Sequence, residues 1–254
     1  METLTRKSLV YKSGLGFYCL NHVQGCSHGC RYPCYAFSMA KHYGRATGYD
    51  GWRRPRLVAN ALELLDRELP RFRARAAAGP GADEFRIHLC LTTDPFMAGW
   101  PEIQAMSLRI IDKINSAGLV CDVLTKGVLP RDLAGRSFSR ENRHGISLVS
   151  LDEGFRKQWE PGAAPYADRI RALRYLHDQG FPTYAHIEPY PTPNILRQDF
   201  EALLEAVGFV DSIFFSGWNY NPVAGQYPDR EGFYAGLARK ARAFCRASGI
   251  DFEM

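Results

Sequence analysis

The sequence predicts an α/β fold: a partial (β/α)6 barrel carried on a single domain. Three observations predict it. Strand-like apolar runs alternate with amphipathic helices along 254 residues, the order that makes strands parallel and puts helices outside. Polar residues gather where each strand ends, the place where such barrels carry their active groups. A composition of 46% apolar and 23% charged residues supplies one large core, and no repeat, linker or low-complexity tract interrupts it. Residues 1–254 are therefore read as one unit, with a core over about 16–220 and a C-terminal helix and tail over 221–254. A doubly wound open sheet is the alternative architecture.

Taken in order, Gly16 to Val23 is the first apolar run and leads into a cysteine-rich loop. A helix over about 56–75 follows, with Leu57, Ala61, Leu64, Leu65 and Leu69 on one face, and Gly79-Pro80-Gly81 breaks it. Phe85–Thr92 is the second strand, and a helix over 102–117 ends at Gly118. Leu119–Thr125 and His144–Ser150 are the third and fourth strands. A helix over 167–179, closed by Gly180, leads to the fifth strand, Phe181–Glu188. A helix over 196–207, the sixth strand Ser212–Ser216 and a helix over 230–248 complete the series, and Ile250–Glu253 is placed as an edge strand. The strand ends carry Thr92-Thr93-Asp94, Thr125-Lys126-Gly127, Ser147 to Asp152, Glu188-Pro189 and Gly217 to Pro222.

A net charge of +5 mildly favours an anionic partner, although the Arg-rich stretches read first as solvated helix faces. A run of about 18 apolar residues, as a membrane span requires, is missing, and Met1 does not open a signal peptide. The chain is expected to be cytoplasmic, with no membrane partner. Its seven cysteines are then thiols rather than a disulfide framework. Cys19, Cys90, Cys121 and Cys245 stand alone in apolar or helical segments and read as small buried hydrophobes.

The other three cysteines fall within nine residues, Cys26-Ser-His-Gly-Cys30-Arg-Tyr-Pro-Cys34. Thiolates are soft ligands suited to iron–sulfur clusters, zinc and copper(I), and three on one loop leave a metal position open. Structural zinc sites usually need a second ligand pair, and none occurs here. The metal reading is therefore iron–sulfur first and zinc second. His28, between two of the thiols, is expected to bond a backbone carbonyl rather than a metal. His88 and His186 alternate with apolar strand neighbours and are read as core histidines.

A three-cysteine loop after the first strand of a partial (β/α)6 TIM-type barrel resembles the radical S-adenosylmethionine enzymes. The closer resemblance is to the spore photoproduct lyase-like, or DNA-repair-photolyase-like, branch. It rests on Gly25 to Tyr32, Thr92-Thr93-Asp94, Leu124-Thr125-Lys126 with Arg131-Asp132, Ile146-Ser147, and Trp159-Glu160-Pro161-Gly162 followed by Arg169. One departure is that Pro33 lengthens the second cysteine gap to three residues. The resemblance implies a 4Fe-4S cluster on Cys26, Cys30 and Cys34, with S-adenosylmethionine on the fourth iron. One electron, from a donor such as flavodoxin or ferredoxin, then yields methionine and a 5′-deoxyadenosyl radical that abstracts hydrogen from substrate.

The resemblance also implies cofactor contacts. Thr93 and Asp94 fall to the methionine portion and Lys126 to its carboxylate. Ser147 falls to that carboxylate or the ribose, Tyr32 lies near the adenine, and Glu188 is at the adenosine or facing substrate. Glu160 and Arg169 are expected to form a structural ion pair. Spore photoproduct lyase uses a hydrogen-donor cysteine three residues before the aspartate, where this chain has Leu91, with Cys90 next to it. A one-residue shift on a strand is expected to point Cys90 to the opposite face, so DNA lesion repair is the less favoured alternative, beside a non-catalytic zinc- or cluster-binding protein. A small metabolite or peptide is the favoured substrate, with Trp218, Asn219, Tyr220 and Asn221 facing it.

Overall fold

The computed structural model describes residues 1–78 and 85–254, so the predicted break at Gly79-Pro80-Gly81 lies outside the described residues. The main sheet has eight strands. From one edge they run β2 (Val10–Lys12), β3 (Tyr18–Leu20), β6 (Ile87–Leu89), β7 (Cys121–Thr125), β8 (Arg143–Ser147), β9 (Thr183–Tyr190), β10 (Ser212–Gly217) and β11 (Asp251–Glu253). Every neighbouring pair is parallel except β2 with β3. β2 and β11 are the two free edges, so the barrel is partial and open. The six predicted strands are its six central ones, and the predicted tail strand pairs with β10.

Local signals account for most helix limits. α4 (Pro101–Ser116) starts with Pro at its first turn, and Gly118 at φ +74° leads the chain away from its end. α9 (Arg230–Ser248) is capped by Asp229, which accepts from Gly232 N, and closes on Gly249 at φ +70°. α5 (Glu153–Trp159) and α7 (Phe200–Ala206) start on Asp152 and Asp199, whose carboxylates accept two amides each. α3 (Ala61–Ala78), α6 (Tyr166–Asp178), α4, α7 and α9 supply the apolar side chains that cover the convex face of the sheet.

Expectations change in several places. The helix read over 196–207 begins only at Phe200, after its cap Asp199, and the run Gly16 to Val23 is split between β3 and a separate short strand, Val23–Gln24. The helix read from about residue 56 starts at Ala61, because Arg56–Val58 is a strand, β5. Leu57 N donates to Glu2 O and Val58 N to His22 O, partners remote in sequence that hold the segment extended. β5 joins β1 (Thr3–Leu4) and β4 (Val23–Gln24) in a second, three-stranded sheet behind the cysteine loop. The fourth strand ends at Ser147, leaving Leu148 to Ser150 as connection.

Candidate functional site

The cysteine loop leaves β4 through Gly25, whose φ of +93° an L side chain rarely adopts and whose Cβ would stand 2.6 Å from Trp52 O. The short helix α2 (Tyr49–Trp52) braces the loop from behind. Cys26 N donates to Trp52 O at 2.9 Å, and the Tyr49 hydroxyl donates to Cys30 O at 2.6 Å. Cys34 immediately precedes α1 (Tyr35–His42), so the third thiol stands where a helix begins. All three thiols are unbridged and half-buried. Burial pushes Cys30 up to about 12, and Cys26 well above its usual value with help from Asp94 and from Cys30 and Cys34. The three are thus within electrostatic reach of one another. Among the described residues, no group of three or more His, Cys, Asp or Glu side chains is already gathered around a common point.

The connection after α5 clamps this loop from across the barrel. Arg31 N donates to Trp159 O and Gly162 N to His28 O, both at 2.8 Å. A Cβ on Gly162 would lie 2.2 Å from Ser27 O, so only glycine lets the two backbones meet. His28 Nδ1 is 3.2 Å from Gly162 O and its Nε2 is 2.8 Å from Asp94 Oδ2. Asp94 also accepts from Thr125 Oγ1 at 2.7 Å and from Phe96 N and Lys126 N at 2.8 Å. Burial alone would raise the Asp94 pKa; the His28, Thr125 and Lys126 contacts outweigh it and hold the carboxyl below its usual value. Asp94 is therefore engaged on both oxygens in tying the loop to the ends of β6 and β7. Thr93 turns to Asn21, its Oγ1 3.4 Å from Asn21 Oδ1.

Beside the loop lies a buried charge network. Glu160 is fully buried; its Oε2 accepts from Arg169 at 2.9 Å, and its Oε1 accepts from the Lys126 ammonium and the Tyr32 hydroxyl, each at 2.5 Å. Burial opposes the Glu160 charge, yet Lys126 and Arg169 bring its pKa down to about 2. The Lys126 ammonium also donates to Ser147 Oγ at 2.9 Å and stands 5.4 Å from the Tyr32 ring centre. Arg169 is fully buried and donates to Ser147 O and Ala164 O. Four sequence-predicted residues, Tyr32, Lys126, Ser147 and the Glu160–Arg169 pair's carboxylate, thus meet at one point. Sequence reading places Glu160 in a structural pair outside the site; the short order Trp-Glu-Pro-Gly is the available signal that it belongs inside.

Strand register places Asp122, Arg143, Gly145, Ser147, Tyr184, His186, Glu188, Phe214 and Ser216 on the inward face. Tyr184 lies over Gly145, where a Cβ would be 2.3 Å from the ring, and so floors the barrel. His88 and His186 are also on this face and part exposed, rather than satisfied inside the core. Trp218 is 1% exposed and packs against Tyr32, Trp159 and Phe155; it plugs the barrel end. Tyr220 stands out in solvent, and Asn221 caps the short helix α8 (Pro222–Gly225). Cys90 lies beyond β6 at φ +58°, so strand alternation does not place it. Its thiol is buried 3.4 Å from His22 Nδ1, on the side of α4, and burial pushes it up to about 12.

No family model matches the chain. Uncharacterized protein ORF301 of Acidianus two-tailed virus is 26% identical over 196 residues, 75% of this chain, and the chain spans 61% of that viral protein's length. Among solved structures, a doubly substituted spore photoproduct lyase with bound AdoMet and dinucleoside spore photoproduct matches with a TM-score of 0.71 at 15% identity. That match covers 98% of this chain and 80% of the lyase. Spore photoproduct lyase complexed with dinucleoside spore photoproduct gives 0.70 at 16% identity, with the same coverage. The chain has the fold of these proteins. No described helix is long and apolar enough to cross a membrane.

Proposed function

We propose that this protein is a radical S-adenosylmethionine enzyme, with Cys26, Cys30 and Cys34 holding a 4Fe-4S cluster. The observation that carries the reading is the placement of three unbridged thiols on one clamped loop, at the carboxyl ends of a parallel open barrel with the lyase fold. The donor set fits: three soft ligands free of disulfides, two of them protonated by burial until a cation draws off their protons. With both groups bound, the cluster and S-adenosylmethionine supply a one-electron carbon–sulfur cleavage and a carbon radical for hydrogen abstraction.

The chain's own residues bind and orient. Lys126, Arg169 and Glu160 sum to one positive charge beside Ser147, which suits the carboxylate of a methionine. Lys126 reaches that carboxylate by exchanging one of its two present partners. Tyr32 is held through its hydroxyl and buried against Trp218 and Lys126 beside the loop, and Glu188 lies on β9, next to the strand that carries Ser147. Asp94 and Thr93 support the site by fixing the loop and the β6 end. Trp218 and its aromatic neighbours keep water from the Cys30 side. An electron donor such as flavodoxin or ferredoxin completes the reaction. A small metabolite or peptide is the substrate class this reading favours over a DNA lesion, since the Cys90 thiol turns away from the concave face.

The test is anaerobic reconstitution with iron and sulfide, then dithionite reduction with S-adenosylmethionine and chromatography for 5′-deoxyadenosine. About four irons per chain and deoxyadenosine formation support the reading. Retained zinc with no cleavage overturns it in favour of a metal-stabilised binding protein.

A further inference from the structure

On the concave face the charges separate. Lys126 is committed to Glu160 and Ser147 on the cysteine-loop side. Arg143 lies low in the barrel, its guanidinium 5.1 Å from the Tyr184 ring centre and bonded to Ser212 Oγ at 3.2 Å. Glu188, two inward-facing positions above Tyr184 on β9, has no cation of its own: its carboxylate is 34% exposed, and His186 Nε2 at 3.6 Å is its ion-pair neighbour among the described residues. Burial lowers the His186 pKa to about 4, so that imidazole is neutral at physiological pH and does not balance the charge. Burial also raises the Glu188 pKa, and the Ser216 hydroxyl and the more distant Lys126 charge offset that rise only in part. This is the direction expected of a carboxylate short of a cation.

The surroundings are flat and aromatic. His186 stacks on Phe214, ring centres 4.4 Å apart and planes 8° from parallel, and across the sheet Phe17 lies 4.1 Å from His88. Below them Asp122 is 3% exposed and already engaged, its Oδ2 3.6 Å from His88 Nδ1 and its carboxylate bonded by the Tyr184 hydroxyl, so it closes the floor of the inward face. A face with one uncompensated carboxylate near the mouth, walled by the stacked His186–Phe214 pair and the tilted Phe17–His88 pair, is complementary to a flat molecule carrying charged N–H donors.

We propose that Glu188 is the substrate anchor and that the concave face takes a small, planar, cationic molecule, an aromatic or conjugated amidine, guanidine or amine. This rests on the enzyme reading above and deepens it: Glu188 belongs to the substrate seat rather than to the cofactor's. Lys126 and Glu188 then divide the work, one meeting the cofactor's carboxylate and the other the substrate's cation.

The probe is benzamidinium against its uncharged analogue benzamide, titrated into the full chain by calorimetry, with and without saturating S-adenosylmethionine. Binding at least tenfold tighter for benzamidinium, persisting with S-adenosylmethionine and falling to the benzamide level in Glu188→Gln, supports the proposal. Equal binding of the two probes overturns it, and that comparison needs no variant. Displacement of benzamidinium by S-adenosylmethionine, or undiminished binding in a folded Glu188→Gln protein, overturns it as well. Selective cation binding without any deoxyadenosine formation upholds the anchor while refuting the enzyme reading, so the two fail separately.

Discussion

Replacing Glu160 by Gln removes the single negative charge that holds Lys126, Arg169 and the Tyr32 hydroxyl together. Its side chain is fully buried, and its pKa falls from 4.5 to about 2 on folding. A depressed carboxylate stabilises the folded state above its unfolded pKa and loses that contribution as pH drops through the folded one. A shift of this size is worth about 3 kcal/mol at pH 7, in line with the roughly 3–5 kcal/mol expected when one partner of a buried ion pair is removed. For a chain of this length that is a drop of about 6–12 °C in Tm. Urea unfolding of both proteins from pH 8 to pH 3 is the assay. The gap between them should hold steady down to about pH 5 and fall to under half by about pH 3. Adding Arg169→Met should recover part of the loss, because the neutral amide then faces only the partly exposed Lys126 and no fully buried cation. A gap below about 1 kcal/mol at pH 7, or one indifferent to acid, refutes the network as a buried charge device.

Gly162→Ala drives a methyl group into Ser27 O, so it should cost about 1–3 kcal/mol and lower iron incorporation together with stability, read by urea unfolding and iron analysis. Cys30→Ala should abolish cluster binding. Cys90→Ala, which empties a small buried space against His22, should cost about 1 kcal/mol and leave iron content and deoxyadenosine formation intact. Loss of cleavage there alone would restore Cys90 to the chemistry. Gly249→Ala meets no atom within 4 Å but keeps φ at +70°; the expected cost of about 1 kcal/mol is purely conformational, and a neutral result in thermal unfolding would contradict it.

The order of strands and helices was open to reading from residue patterns because its causes are local. Apolar periodicity placed the six central strands and the helices α4, α6 and α9, and the glycine just beyond each of these helices fixed its end within a residue. The thiol loop was legible for the same reason, since three ligands on one short segment need no knowledge of the fold. What tertiary structure alone decided is how distant segments meet. The extended run at Arg56–Val58 has no pattern of its own and is held by Glu2 and His22. Glu160 draws its partners from positions 32, 126 and 169, and no spacing rule links those numbers. Cys90 turns away from the concave face as expected, but through a left-handed residue beyond the strand end rather than through strand alternation. The exposure of Glu188 and His186 follows from the sheet staying open, with β2 and β11 unpaired at its edges. Near the mouth those two side chains reach solvent, while Asp122, Ser147 and Tyr184 on the same face stay buried. The reason is that, among the described residues, no further strand closes over the upper part, and closure depends on strand number and packing rather than on any one strand's residues.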